Sequence, residues 1–121
     1  MEEDPLFAFY GSLRTGMYNH KEFERHLEFV RTVRLKGFKL YALDDYPYAI
    51  RTSNHDESIV VELFRIRNGK VRMEIEKMEL DAGYIRDEME VGGYLAVIYI
   101  FEKVENNQEV PGGDWIEFFG K

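Results

Sequence analysis

Phe7-Ala8-Phe9-Tyr10-Gly11-Ser12-Leu13-Arg14-Thr15-Gly16-Met17-Tyr18-Asn19-His20 is the stretch around which the chain is organised. Leu6 to Tyr10 is a short apolar and aromatic run, which suits a buried strand. The run stops at Gly11, where the backbone can turn without a side chain in the way, and Gly16 supplies a second flexible point. A loop at the end of a strand can aim consecutive N–H groups into a cavity, where they suit a carboxylate or an anionic oxygen. The glycines do not form G-x-G-x-x-G, and no Lys-Ser/Thr pair follows, so the loop is not a nucleotide-phosphate fingerprint. By pattern alone it remains open whether this is a ligand loop or a plain strand, turn and helix.

Outward from this stretch, the pattern predicts a helix from Asn19, as N-cap, to about Phe29, with Phe23, Leu27 and Val30 on the buried face. Arg31 to Leu43 reads as one long strand. Its apolar positions switch face near Gly37, from Val33 and Leu35 to Phe38 and Leu40, as a bulge or sharp bend requires. Asp44 to Pro47 is a turn, Tyr48 to Arg51 a strand, Thr52 to Ser58 an exposed loop, and Ile59 to Ile66 a strand ended by an Asn68-Gly69 turn. Val71, Ile75 and Met78 have helical spacing, in a helix that ends near Glu79. Asp81-Ala82-Gly83 releases the chain into Tyr84 to Val91, and Gly92-Gly93 turns it back as Tyr94 to Phe101. Glu105 to Glu109 reads as a polar loop, followed by Gly113-Asp114-Trp115 and a short aromatic tail with Phe118 and Phe119. Strands outnumber helices and most are joined by hairpins. The expected class is α+β, with a mainly antiparallel, barrel-like sheet and two principal helices.

At 121 residues the chain is expected to form one domain, 1–121, with a real core. A formal charge of −7 argues against a general nucleic-acid or anionic-membrane binder. The absence of cysteine removes disulfides and thiolate catalysis together. The acidic start Met1-Glu2-Glu3-Asp4-Pro5 has no signal-peptide pattern, and no apolar run is long enough to span a bilayer, so the expectation is a cytoplasmic protein. His20, His26 and His55 show no zinc-binding spacing, so no metal is expected.

Among acid/base candidates Glu79 stands out. It follows the apolar stripe of its helix and is flanked by Met78 and Leu80. Inside an apolar cavity, desolvation would raise its pKa toward neutrality and suit it to proton transfer. The residue pattern alone equally allows a solvated carboxylate like Glu74, Glu76 or Asp81. Arg14 could neutralise a substrate carboxylate, although a loop arginine is more often solvated. Tyr84 could meet substrate or serve as packing. No histidine base can be assigned to Ser12. Arg31, Arg34, Lys36 and Lys39 read as the solvent face of a strand.

Tyr10-Gly11-Ser12-Leu13-Arg14 with Gly16 and Asn19-His20 resembles the opening motif of the gamma-glutamylcyclotransferase-like family. Three later stretches agree in order: Gly37 to Tyr41 followed by Tyr46-Pro47, Glu79 followed by Tyr84-Ile85-Arg86, and Gly113-Asp114-Trp115. The sequence departs from the family pattern at Val61, Glu76, Leu80 and Gly112. The resemblance implies Glu79 as the catalytic residue and Tyr10, Gly11, Ser12 and Leu13 as the substrate-holding loop. It also implies closure of a gamma-glutamyl amine or peptide to 5-oxoproline with release of the amine, without metal or cofactor. A non-catalytic module holding a small carboxylate-bearing ligand in the same cavity is the alternative.

Overall fold

The computed structural model describes residues 4–120; residues 1–3 of the acidic start and residue 121 lie outside it. Strand β1 (Leu6–Phe9) is buried along its whole length and sits at the centre of a five-stranded sheet. An apolar run without alternation fits a strand covered on both faces. Its neighbours are β5 (Ser58–Arg65), antiparallel, and β7 (Tyr94–Ile100), parallel. Outside them lie β2 (Glu28–Lys36) and β6 (Ile85–Val91), giving the order β2-β5-β1-β7-β6. A second sheet contains β4 (Pro47–Arg51), β3 (Phe38–Ala42) and the two-residue β8 (Gln108–Glu109), in that order.

The switch of face near Gly37 marks the passage between the two sheets. Gly37 has φ +85° and is pinned on both sides, its N–H donating to the Glu57 carbonyl and its carbonyl accepting from Thr52. The expected single long strand is therefore two strands in different sheets.

Among the described residues the ladder shows no closure into the expected barrel. Arg31 of edge strand β2 donates to the carbonyl of Gly92, in the β6–β7 turn, at 3.3 Å. Among the described residues no strand pairing joins β2 to β6. The α+β class and the mainly antiparallel pairing are as expected.

Helices depart from expectation in three places. Helix α1 covers only Tyr18–Phe23, continues as a 3-10 turn to His26, and gives way to β2. β-branched and aromatic residues from Phe29 onward favour the strand over further helix. Asn19 is not the cap: Met17 holds that position, and the Asn19 side chain donates to Ser12 Oγ. Helix α2 (Gly69–Asp81) is capped by Asn68, whose side chain accepts from Lys70 and Val71, so the expected Asn68-Gly69 turn is a helix start. The aromatic tail forms a third helix, α3 (Trp115–Phe119), capped by Asp114 and buried through Trp115. Among the described residues no helix is long and apolar enough to cross a membrane.

Candidate functional site

Tyr10, Gly11, Ser12, Leu13 and Glu79 line one cavity of about 270 Å³. That is close to the lower end of small-ligand pockets, about 300–1,000 Å³. The loop comes from the end of β1, the carboxyl from the last turn of α2.

The ending of α2 explains why Glu79 stands five residues before Tyr84. Gly83 takes φ +97°, its N–H donates to the Leu80 carbonyl, and the N–H of Tyr84 donates to the Glu79 carbonyl. This pair of bonds is the glycine-terminated helix ending that satisfies the last carbonyls. Its consequence is chemical, because Glu79 and Tyr84 are locked together at the edge of the same cavity.

The loop is built to a close tolerance. A Cβ on Gly11 would lie 2.6 Å from Pro47 Cδ, so only glycine permits this approach. Pro47 is held in turn by the Tyr84 hydroxyl, which donates to its carbonyl at 2.5 Å. Arg14 N–H donates to the Gly11 carbonyl at 3.0 Å, closing a turn over Ser12 and Leu13. His20, whose ring packs on Phe64, bonds the Leu13 carbonyl through Nδ1 at 2.9 Å, and its N–H donates to the Ser12 carbonyl. The loop carbonyls are thus engaged. Among the described residues no acceptor takes the N–H of Gly11, Ser12 or Leu13.

Glu79 is half-buried as a residue and lines the cavity. Desolvation raises its pKa from 4.5 to about 7. Among the described residues no lysine or arginine lines the cavity to oppose that shift. Three tyrosines lie close enough to sense the Glu79 charge. Burial raises the pKa of Tyr10, Tyr84 and Tyr99 first of all, and for Tyr99 the hydrogen bond to Glu76 adds to it. All three therefore remain neutral donors at physiological pH.

Tyr10 contributes more than its backbone. Its hydroxyl accepts from the Ala49 N–H at 3.1 Å and donates to the Tyr99 carbonyl. Tyr99, not singled out in the sequence, lines the cavity and donates to Glu76 Oε1, which also pairs with Arg86 at 3.0 Å. The signal was faint: the second of two tyrosines in the largely apolar β7, in register with Arg86 on β6. Tyr18 and Tyr46 also line the cavity.

Arg14 is neither solvated nor aimed at a ligand. It is buried and bonded to Glu62 and Asp114, and it does not line the cavity. Ser12 Oγ accepts from Asn19, and no histidine bonds it. Among the described residues no group of three or more His, Asp or Glu side chains is arranged to hold a metal ion.

A family model described as gamma-glutamyl cyclotransferase, AIG2-like, matches residues 7–117. Comparison with curated proteins gives no match. The fold is similar to that of an uncharacterised protein from Pyrococcus horikoshii, with TM-score 0.79 and 22% identity over 94% of this chain and 92% of that one. The ytfP protein of Escherichia coli is similar at TM-score 0.73 and 21% identity, over 93% and 96% of the two chains. An AIG2-like protein from Mus musculus is similar at TM-score 0.69 and 16% identity, over 87% and 82%. At these identities the structures speak for the fold, while the family model, spanning nearly the whole sequence, speaks for descent. The chain belongs to the gamma-glutamyl cyclotransferase, AIG2-like family.

Proposed function

We propose that the protein is a gamma-glutamylcyclotransferase that converts a gamma-glutamyl amine or peptide to 5-oxoproline and the free amine. One observation carries the reading: Glu79, its pKa raised to about 7, lines the same small cavity as Gly11, Ser12 and Leu13, whose N–H groups meet no acceptor among the described residues.

The substrate's α-amine is an ammonium at neutral pH and attacks only after losing a proton. Glu79 takes that proton. The amine nitrogen then bonds to the γ-carbonyl carbon, closing a five-membered lactam. As the bond from that carbon to the departing nitrogen breaks, Glu79 gives its proton to that nitrogen. The ring nitrogen then loses its second proton to the re-ionised Glu79, which passes it on to the free amine. A positioned acid/base group contributes about 10²- to 10⁴-fold, most when its pKa is near the working pH. The loop amides hold the substrate's carboxylate and carbonyl oxygens in the folded conformer from which closure occurs. None of these steps calls for a redox or metal centre.

The test is incubation with a panel of gamma-glutamyl amines and peptides, following 5-oxoproline by mass, with Glu79→Gln alongside. Product with wild type and a loss of at least about 100-fold in the variant supports the reading. Ligand-induced thermal stabilisation without product in either protein overturns it in favour of a binding module.

A further inference from the structure

Three charged side chains from distant parts of the chain meet beside the Gly11–Leu13 turn. Glu62, on β5 opposite Phe9, is buried. Its Oε2 accepts from Arg14 Nε at 2.6 Å, and its Oε1 accepts from the N–H and hydroxyl of Thr15 at 2.9 and 2.7 Å. The second arm of Arg14 reaches Asp114, Nη1 to Oδ1 at 2.8 Å. That same Oδ1 accepts from the Glu117 N–H and caps α3. None of Arg14, Glu62 or Asp114 lines the cavity.

We propose that Arg14 and Asp114 are positioning residues, which hold the Gly11–Leu13 amides in register with the cavity by clamping the turn between β5 and the C-terminal helix. The proposal rests on the substrate-holding role given to those amides above.

A buried ion pair is a poor source of net stability, because desolvation offsets most of its attraction, and well-packed apolar residues often do as well. What a guanidinium adds is direction: its planar fork bonds acceptors only along fixed lines. Here one arm is set by a strand and the other by a helix cap, so the Arg14 backbone has little latitude. That backbone closes the turn at both ends, its N–H donating to Gly11 and its carbonyl accepting from Met17. A shift of Arg14 therefore moves Ser12 and Leu13.

Two variants separate positioning from bulk stability. Asp114→Ser keeps a capping hydroxyl for α3 but is too short for Arg14. Arg14→Lys keeps the charge but cannot serve both acceptors. Each is compared with wild type by backbone amide NMR shifts and hydrogen exchange at Gly11, Ser12 and Leu13, and by steady-state kinetics on the substrate found above. The expected result is shifted, faster-exchanging amides confined to the loop, with KM raised about tenfold or more and kcat and its pH inflection little changed. Wild-type loop amides and KM in a folded variant overturn the proposal. Failure of both variants to fold overturns it too, since the cluster would then serve stability alone. Should wild type form no 5-oxoproline, the cyclotransferase reading falls by itself, and the loop amides alone decide whether the clamp exists.

Discussion

The hydroxyl of Tyr10 donates to the carbonyl of Tyr99 at 2.5 Å, joining residues 89 positions apart in sequence. The same hydroxyl accepts from the N–H of fully buried Ala49, so one oxygen ties the loop of the main sheet to the second sheet. Tyr10→Phe keeps the ring and removes that oxygen, leaving polar backbone groups in a dry setting. A loss of about 1–3 kcal/mol is expected in urea unfolding. A loss under about 0.5 kcal/mol would show that the oxygen is incidental.

Gly11→Ala forces its new methyl group against the Pro47 ring. Because the Tyr84 hydroxyl holds Pro47, the loop yields rather than the proline. The expected outcome is a folded protein, by circular dichroism, whose kcat/KM falls about 100-fold, the scale for displacing positioning groups by about 1 Å. Wild-type kinetics in this variant would mean that the loop tolerates displacement.

Glu79 couples stability to pH in a direction opposite to that of paired carboxylates. Its pKa is about 7 folded against 4.5 as the ordinary value, so between these values the folded state holds more protons than the unfolded. Stability falls as pH rises through this window and levels off above it. Glu79→Gln removes the cost. It should gain about 2 kcal/mol at pH 8 and almost nothing at pH 4, measured by denaturant midpoints at both. For catalysis the sign is the reverse, because a base must be ionised: the Glu79-dependent limb of kcat rises with pH through about 7. Equal stability of the two proteins at pH 8 would put the carboxyl in water.

Trp115 is wholly buried, and its Nε1 has no hydrogen-bond partner among the described residues. Trp115→Ala should cost about 3–5 kcal/mol, as a large cavity opens under α3. Trp115→Phe leaves a smaller void but also removes an unpartnered buried N–H worth about 1–3 kcal/mol, so the two nearly cancel. Calorimetry of both variants checks the contrast, and a Phe variant as damaged as the Ala variant refutes it.

Strands with clear punctuation were legible in the sequence, and so was the meeting of Glu79 and the Tyr10–Leu13 loop at one cavity. The turn after β1, the end of α2 just past Glu79 and the Gly92-Gly93 hairpin all rest on local backbone chemistry, which a sequence carries directly. Gly37 was marked by a switch of face, but only the tertiary arrangement makes it a crossing between sheets. Asn19 and Asn68 show the limit of capping signals: both precede helical patterns, yet one bonds a serine and the other caps. Arg14 was misjudged because its partners are 48 and 100 positions away, beyond any local pattern. The two-residue β8 lacks apolar content and exists only as a ladder on β3, so nothing in Gln108-Glu109 announced it.

Strand β1 is made well before both strands beside it, which come from residues 58 and 94 onward. On the ribosome, Leu6 to Phe9 must wait as an unpaired greasy segment while the residues up to its partners β5 and β7 are translated. Such distant pairings make folding slow and leave sticky surface open to aggregation. The central sheet should therefore close only once Tyr94–Ile100 has emerged, however early the strand at its centre was made.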